Sequence, residues 1–262
     1  MSPMVDVQHI SYAYTKKAAS RSNLVLSNIT FHIQAGEFVS ILGHSGCGKT
    51  TLVNILAGYL SAGAGTILIN NKKIRAPGRD RIVVNQENDV FPWMTVWDNM
   101  RLVNANKETI HTCAKLVGLS DVLNYYPNSL SGGMKKRLSL ARALVVNPDF
   151  LILDEPFASL DYMMRDELHG ELDLLFSVTQ KTTLLVTHDI NEAIYLSDRI
   201  IILGGQPTSI LAQLHINFSH PRSKMIENSK RFSQYRKRIK ESYFMSRFPK
   251  MLKKEKKMLS FL

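Results

Sequence analysis

Short apolar runs alternate along the chain with longer stretches in which apolar positions recur every three or four residues. Residues 37–42 (EFVSIL), 66–70 (TILIN), 81–85 (RIVVN), 150–154 (FLILD), 182–187 (TTLLVT) and 199–203 (RIIIL) read as strands. Several are apolar throughout, the pattern of parallel strands covered on both faces. Between them, 49–58, 131–146, 165–177 and 190–196 read as helices; in the third, Leu168, Leu172, Leu175 and Phe176 fall on one face. The first 36 residues differ, because MVDVQHI and NITFHI alternate apolar and polar positions like antiparallel strands. The expected fold class is α/β, with a mainly parallel core sheet and an N-terminal antiparallel β subdomain. NNKKIRAPGRD and GGQPTS are turn-rich surface connections.

Composition narrows the setting. In 262 residues, 45% are hydrophobic and 21% charged, ordinary values for a globular protein. No uncharged apolar run approaches the roughly 18 residues that span a bilayer. The first ten residues lack the basic and apolar regions of a secretory signal. A membrane role is therefore expected from the surface. Two cysteines, Cys47 and Cys113, suggest a reducing compartment rather than a disulfide scaffold. Residues 221–262 hold 14 Lys/Arg and 3 Asp/Glu, the whole of the formal net charge of +11. With residues 1–220 neutral, nucleic acid is an unlikely partner of the main domain.

The segment LGHSGCGKTT fits G-x-x-x-x-G-K-[ST], following an expected strand and entering an expected helix. Backbone N–H groups of Gly43, His44, Ser45, Gly46, Cys47 and Gly48 can turn towards phosphate oxygens, aided by the helix N-terminus. Lys49 would reach the β- and γ-phosphates, Thr50 would ligate Mg²⁺, and Thr51 completes the segment. Lysine and helix N-terminus together are expected to lower the Cys47 thiol pKa. FLILDEP adds Asp154 at a strand end, placed to hold Mg²⁺, and Glu155, placed to polarise an attacking water. LLVTHD sets His188 at another strand end, able to contact a phosphate or water.

LSGGMKKRLSLARAL, residues 130–144, makes the chain resemble the ATP-binding subunit of an ABC transporter. Roughly residues 4–215 share the likeness. It implies a P-loop NTPase of ABC type over 1–215, a helical subdomain inserted at about 88–146, and a basic extension over 216–262. It also implies ATP hydrolysis with Mg²⁺ and two cassettes closed head to tail. Ser131, Gly132 and Gly133 of one cassette would then clamp the γ-phosphate held by the other. In the same likeness Gln86 senses Mg²⁺ and the attacking water, Asp161 in ASLD crosses the interface beside the variant Ser159, and His188 is the switch histidine. Tyr14 in ISYAY stacks on adenine, with Tyr12 as competitor.

VFPWMTVWDN resembles the segment PW-x-TV-x-DN of nitrate, sulfonate and taurine importer ATPases. That likeness implies an importer of a small anionic or organic solute, a separate transmembrane permease, a solute-binding protein and a second ATP-binding subunit in a homodimer or heterodimer. Phe91, Trp93 and Trp97 would suit a socket for the permease, or simply pack the helical subdomain. The expected location is peripheral, on the cytoplasmic face of the cell membrane. The alternative is a soluble ABC-type ATPase acting on nucleic acid or ribosomes. Finally, Ile226, Phe232, Tyr235, Ile239 and Tyr243 fall near helical spacing among lysines and arginines, and MLKKEKKMLSFL repeats apolar pairs. Such a basic amphipathic tail suits an anionic leaflet, and the ATPase is expected to survive its removal after Pro221.

Overall fold

The computed structural model describes residues 3–14, 24–85, 89–158 and 160–247. In chain order the elements begin with β1 (Val5–Tyr12), β2 (Leu26–Ile33), β3 (Phe38–Leu42), α1 (Lys49–Ala57), β4 (Ala64–Ile69), β5 (Lys72–Lys73) and β6 (Arg81–Val84). Then come α2 (Val96–Arg101), α3 (Lys107–Leu116), α4 (Gly132–Val146), β7 (Phe150–Asp154), α5 (Tyr162–Thr179) and β8 (Thr182–Thr187). The last are α6 (Ile190–Leu196), β9 (Arg199–Gly204), β10 (Ser209–His215) and α7 (Lys230–Arg247).

Two sheets result. An antiparallel one runs β2-β1-β4-β5, and a six-stranded one runs β10-β9-β3-β8-β7-β6. Within the second, all neighbours are parallel except the pair β9 and β10. The expected α/β class and antiparallel subdomain hold. Residues 66–70, read as one strand of the alternating series, pair with β1 and so belong to the antiparallel sheet. Both faces of the parallel sheet are covered. Val39, Ile41, Phe150, Ile152, Leu184 and Val186 face the antiparallel sheet and α1. Phe38, Leu42, Leu151, Leu153 and Leu185 face the helical side. That double cover explains why these strands carry no polar alternation.

Strand order positions the chemistry. Strands β3, β8 and β7 are adjacent, with Leu42 beside Thr187 and Asp154 beside Val186. Their carboxyl ends therefore deliver residues 43–48, His188 and Glu155 to one edge of the sheet, where open α/β folds bind ligands.

The segment after residue 215 departs from expectation. Phe232 and Ile239 are fully buried and Tyr235 nearly so, in the same core as α6, β9 and β10. The stripe expected to meet lipid is covered by this chain's own domain. What α7 turns outward is charge: Lys230, Arg231, Lys237, Arg238 and Lys240 are exposed. A polar knot pins the entry to α7. Buried Arg222 donates through Nη1 to the carbonyls of Ile194, Tyr195 and Ser197 at 3.0, 2.8 and 3.0 Å, satisfying the end of α6. Asp173 accepts from the Arg222 backbone N–H and contacts His220, whose other ring nitrogen lies 3.2 Å from Asp198. Truncation after Pro221 would remove Arg222 and the three core side chains together, so the rest of the domain is expected to lose stability with them. The residues 251–262, with their paired apolar positions, lie outside the described residues.

Candidate nucleotide site

Helix starts distinguish one element from the rest. The first backbone N–H groups of a helix need acceptors from outside it. Thr95, Asn106, Ser131, Asp161, Asp189 and Ser229 provide a side-chain oxygen for α2 to α7 in turn. Helix α1 begins instead on Gly48, with no side-chain cap and no acidic residue in its first turn. Gly48 has φ +91°, and a Cβ there would come within 2.9 Å of Val25 Cγ1, so only glycine fits. The start of α1 thus offers N–H donors and positive dipole without an anionic side chain.

Lys49 lies across this loop and is 6% exposed. Its Nζ donates to the carbonyl oxygens of Gly43 at 2.9 Å and His44 at 3.3 Å, and sits 3.2 Å from Glu155 Oε1. Glu155 Oε2 is 3.1 Å from His188 Nδ1. Lys49, Glu155 and His188 therefore form one chain of contacts across the ends of three neighbouring strands. Glu155 holds φ +46°, with its N–H bound to the carbonyl of Val186 at 2.8 Å, so the backbone turns its carboxylate back over the sheet edge. Burial, with Glu155 adding repulsion against the pull of Lys49, raises the Asp154 carboxyl to about 6. A cation beside it would relieve that penalty, and the exposed Thr50 hydroxyl at the start of α1 is a second hard oxygen.

Tyr14 is exposed, with its OH 2.9 Å from Thr51 Oγ1 and its ring edge-on to Tyr12 at 5.1 Å. Tyr12 packs against the core, so Tyr14 is the ring left open to a ligand. His44, Ser45 and Gly46 are exposed, whereas Cys47 is 3% exposed. The expected low thiol pKa is corrected here: burial pushes Cys47 up and outweighs the neighbouring Lys49.

The remaining expected residues form a second group. Ser131 Oγ accepts from Met134 N–H at 3.2 Å, and Asp161 Oδ1 accepts from Met164 N–H at 3.0 Å. Gly133 packs on Met164, where a Cβ would approach the sulfur to 2.8 Å. Among the described residues, no hydrogen bond or ion pair joins Ser131, Gly132, Gly133 or Asp161 directly to Lys49, Asp154, Glu155 or His188. Gln86 and Ser159 lie outside the described residues.

Sequence reading missed several residues around these groups. Asn99, fully buried, accepts from Phe91 N–H and donates to the carbonyls of Phe91, Met94 and Thr95, so it shapes the loop that carries Trp93. Trp93 is exposed, Trp97 packs against the core and Arg142 covers Phe91 at 4.7 Å. The aromatic trio thus divides between packing and surface. Its WDN signal was visible, but an asparagine's four backbone bonds were not.

A model of the family described as ABC transporter matches residues 26–158. The chain belongs to the ABC transporter family. This cassette is 35% identical to the nitrate transport protein NasD of Klebsiella oxytoca, over 91% of this chain and 95% of that one. It is 36% identical to the aliphatic sulfonates import ATP-binding protein SsuB of Bacillus cereus, with the same two coverages of 91% and 95%. The bicarbonate transport ATP-binding protein CmpD of Synechocystis is 37% identical, over 83% of this chain and 80% of its own. Among solved structures, the dimeric bacterial ABC transporter cassette MJ0796 superposes with a TM-score of 0.69 at 29% identity, covering 82% of this chain and 100% of that one. The cassette cbiO1 of Clostridium perfringens gives 0.75 at 24% identity, over 94% and 99%, which speaks for the fold alone. The expected family, fold and ATPase class are borne out. Among the described residues no helix is long and apolar enough to cross a membrane.

Proposed function

We propose that this ABC cassette is the ATP-hydrolysing subunit of an importer, and that its permease carries a small oxyanion of the class named for NasD, SsuB and CmpD. The observation that supports the hydrolytic role most directly is the uncapped α1 facing the Lys49–Glu155–His188 chain; the importer role and its cargo rest on the relatives. Backbone N–H groups of residues 43–51 and the Lys49 ammonium would receive the β- and γ-phosphates, and the Tyr14 ring would receive adenine. Glu155, held by Lys49 and His188, would orient and polarise the attacking water, and His188 would contact the γ-phosphate. Thr50, Asp154 and Gln86 would hold Mg²⁺, which supplies charge neutralisation between the phosphates when bound.

The signature residues Ser131, Gly132 and Gly133, with Asp161, would complete the site of a second cassette in a head-to-tail dimer. A separate permease, a solute-binding protein and a peripheral position on the cytoplasmic face of the membrane follow from the importer reading. The decisive experiment is Glu155→Gln. It should still bind Mg-ATP, lose turnover by about 10²–10⁴-fold, the usual worth of a general base, and accumulate as an ATP-bound dimer on size exclusion. Near-normal turnover would remove Glu155 from this role.

A further inference from the structure

Behind His188 lies a buried polar cluster that no part of the nucleotide site uses. Glu192, in the first turn of α6, is 5% exposed. Its Oε2 accepts from Thr187 Oγ1 at 2.6 Å, and the same hydroxyl accepts from the Asp189 N–H at 3.0 Å. One carboxylate therefore holds both residues that flank His188. From the other side, two groups on α5 approach Glu192 Oε1: His169 Nε2 at 3.7 Å and Arg165 Nε at 3.9 Å. Both nitrogens are buried without a hydrogen-bond partner among the described residues. Buried donors are ordinarily satisfied, and two orphans aimed at one carboxylate oxygen from just beyond bonding distance call for an explanation.

The far ends of these side chains reach the catalytic loops. Arg165 Nη2 donates to the carbonyl of Leu160, the residue before Asp161, at 3.1 Å, and Nη1 is 3.7 Å from Asp189 Oδ2. The His169 ring stands edge-on to Phe157, two residues after Glu155, at 4.5 Å. A movement of Phe157 or Leu160 thus bears on His169 or Arg165. A closure by less than 1 Å would bring their nitrogens into ordinary hydrogen bonds with Glu192.

We propose that Glu192, reached by Arg165 and His169, is a positioning residue that couples the Asp161 loop to His188. Closure of that loop draws Arg165 and His169 onto Glu192, and Glu192 fixes the backbone on either side of His188 through Thr187. The proposal rests on the reading of His188 and Asp161 given above, so the experiment carries Glu155→Gln as an internal control of that reading.

Turnover of full-length protein is measured with radiolabelled Mg-ATP, so that low rates are readable. Glu192→Gln, which keeps size and acceptor oxygen but loses the charge that attracts Arg165, should lower kcat about tenfold with KM for ATP within about twofold. In a His188→Ala background the same change should lower kcat less than about twofold, since the relay acts only through His188. Arg165→Met should show the same dependence on background. Thr187→Val should lower kcat as Glu192→Gln does, and Thr187→Ser should recover most of that loss, which covers the case of an unfolded Glu192 variant. Equal losses in both backgrounds, an unchanged kcat, or a loss confined to KM would overturn the coupling. Retained turnover in Glu155→Gln would instead sink the site reading beneath it.

Discussion

Phe232→Ala tests whether the basic C-terminal helix belongs to the ATPase core. Phe232 is fully buried, with Phe218 at 6.4 Å and the Arg236 guanidinium 5.4 Å over its ring. Truncating a buried phenylalanine costs about 3–5 kcal/mol, part transfer and part cavity. Alanine's better helix propensity returns roughly 0.5 kcal/mol, leaving a net loss of about 2.5–4.5. Against a typical total of about 5–15 kcal/mol that is a large fraction. At a urea slope near 3 kcal/mol/M it moves the midpoint down by about 1 M. Hydrogen exchange should locate the damage on α7 and on α6, because Arg236 Nε also bonds Asn191 Oδ1 at 3.1 Å in the first turn of α6. Arg238→Ala, on the exposed face of α7, should stay within about 0.5 kcal/mol. A Phe232→Ala midpoint close to wild type, with exchange on α6 unchanged, would refute the packing argument and reopen a lipid-facing role for the stripe.

Two further outcomes follow from buried titrating groups. Cys47, with its thiol pushed up by burial, should label with a maleimide more slowly near neutral pH than an unstructured cysteine peptide, and faster as pH rises; peptide-like rates by mass spectrometry would contradict this. For His220, burial alone would lower the pKa, but the hydrogen bonds to Asp173 and Asp198 hold it above its ordinary value despite the nearby Arg222. A raised base stabilises fully below its unfolded pKa of about 6.5 and loses that contribution as pH rises through the folded value. Urea midpoints taken at about pH 6 and about pH 9 should therefore fall more in wild type than in His220→Gln, and parallel falls would show that His220 does not link protonation to folding.

What the sequence disclosed was local. Gly48 and Lys49, FLILD with Glu155, and Ser131 before a basic helix are each read within a few residues, because chain direction alone sets strand, turn and helix start. Helix α3 carried a usable signal: Asn106 at the cap and Ile110, Cys113 and Ala114 on one buried face. Helix α2 did not, since six residues hold their shape through Asn99 and its bonds to the preceding loop. The tail shows the same limit. Its spacing gave a stripe, but spacing cannot say whether lipid or protein covers it. Arg165, His169 and Glu192 were out of reach because they meet only when α5 and α6 are packed.

The two groups of site residues within this one cassette explain each other through their helix caps. Aspartate caps α5 and α6, yet the start of α4 is capped by Ser131. A carboxylate would satisfy that helix equally well but present a negative charge and no proton. A hydroxyl accepts from Met134 N–H with its lone pair and still has an O–H to donate outward. Ser131 is exposed and Gly132 beside it is exposed as well, so their own chain leaves these donors uncovered. The start of α1 has the opposite need, a phosphate with no protein acceptor. One helix start lacks an acceptor and the other keeps a spare donor, and no direct hydrogen bond or ion pair within the described chain joins them. Under the proposed head-to-tail pairing the nucleotide is what both ends share. Hydrolysis then waits on a second cassette, and closure between the two is the step that a transporter can couple to its permease.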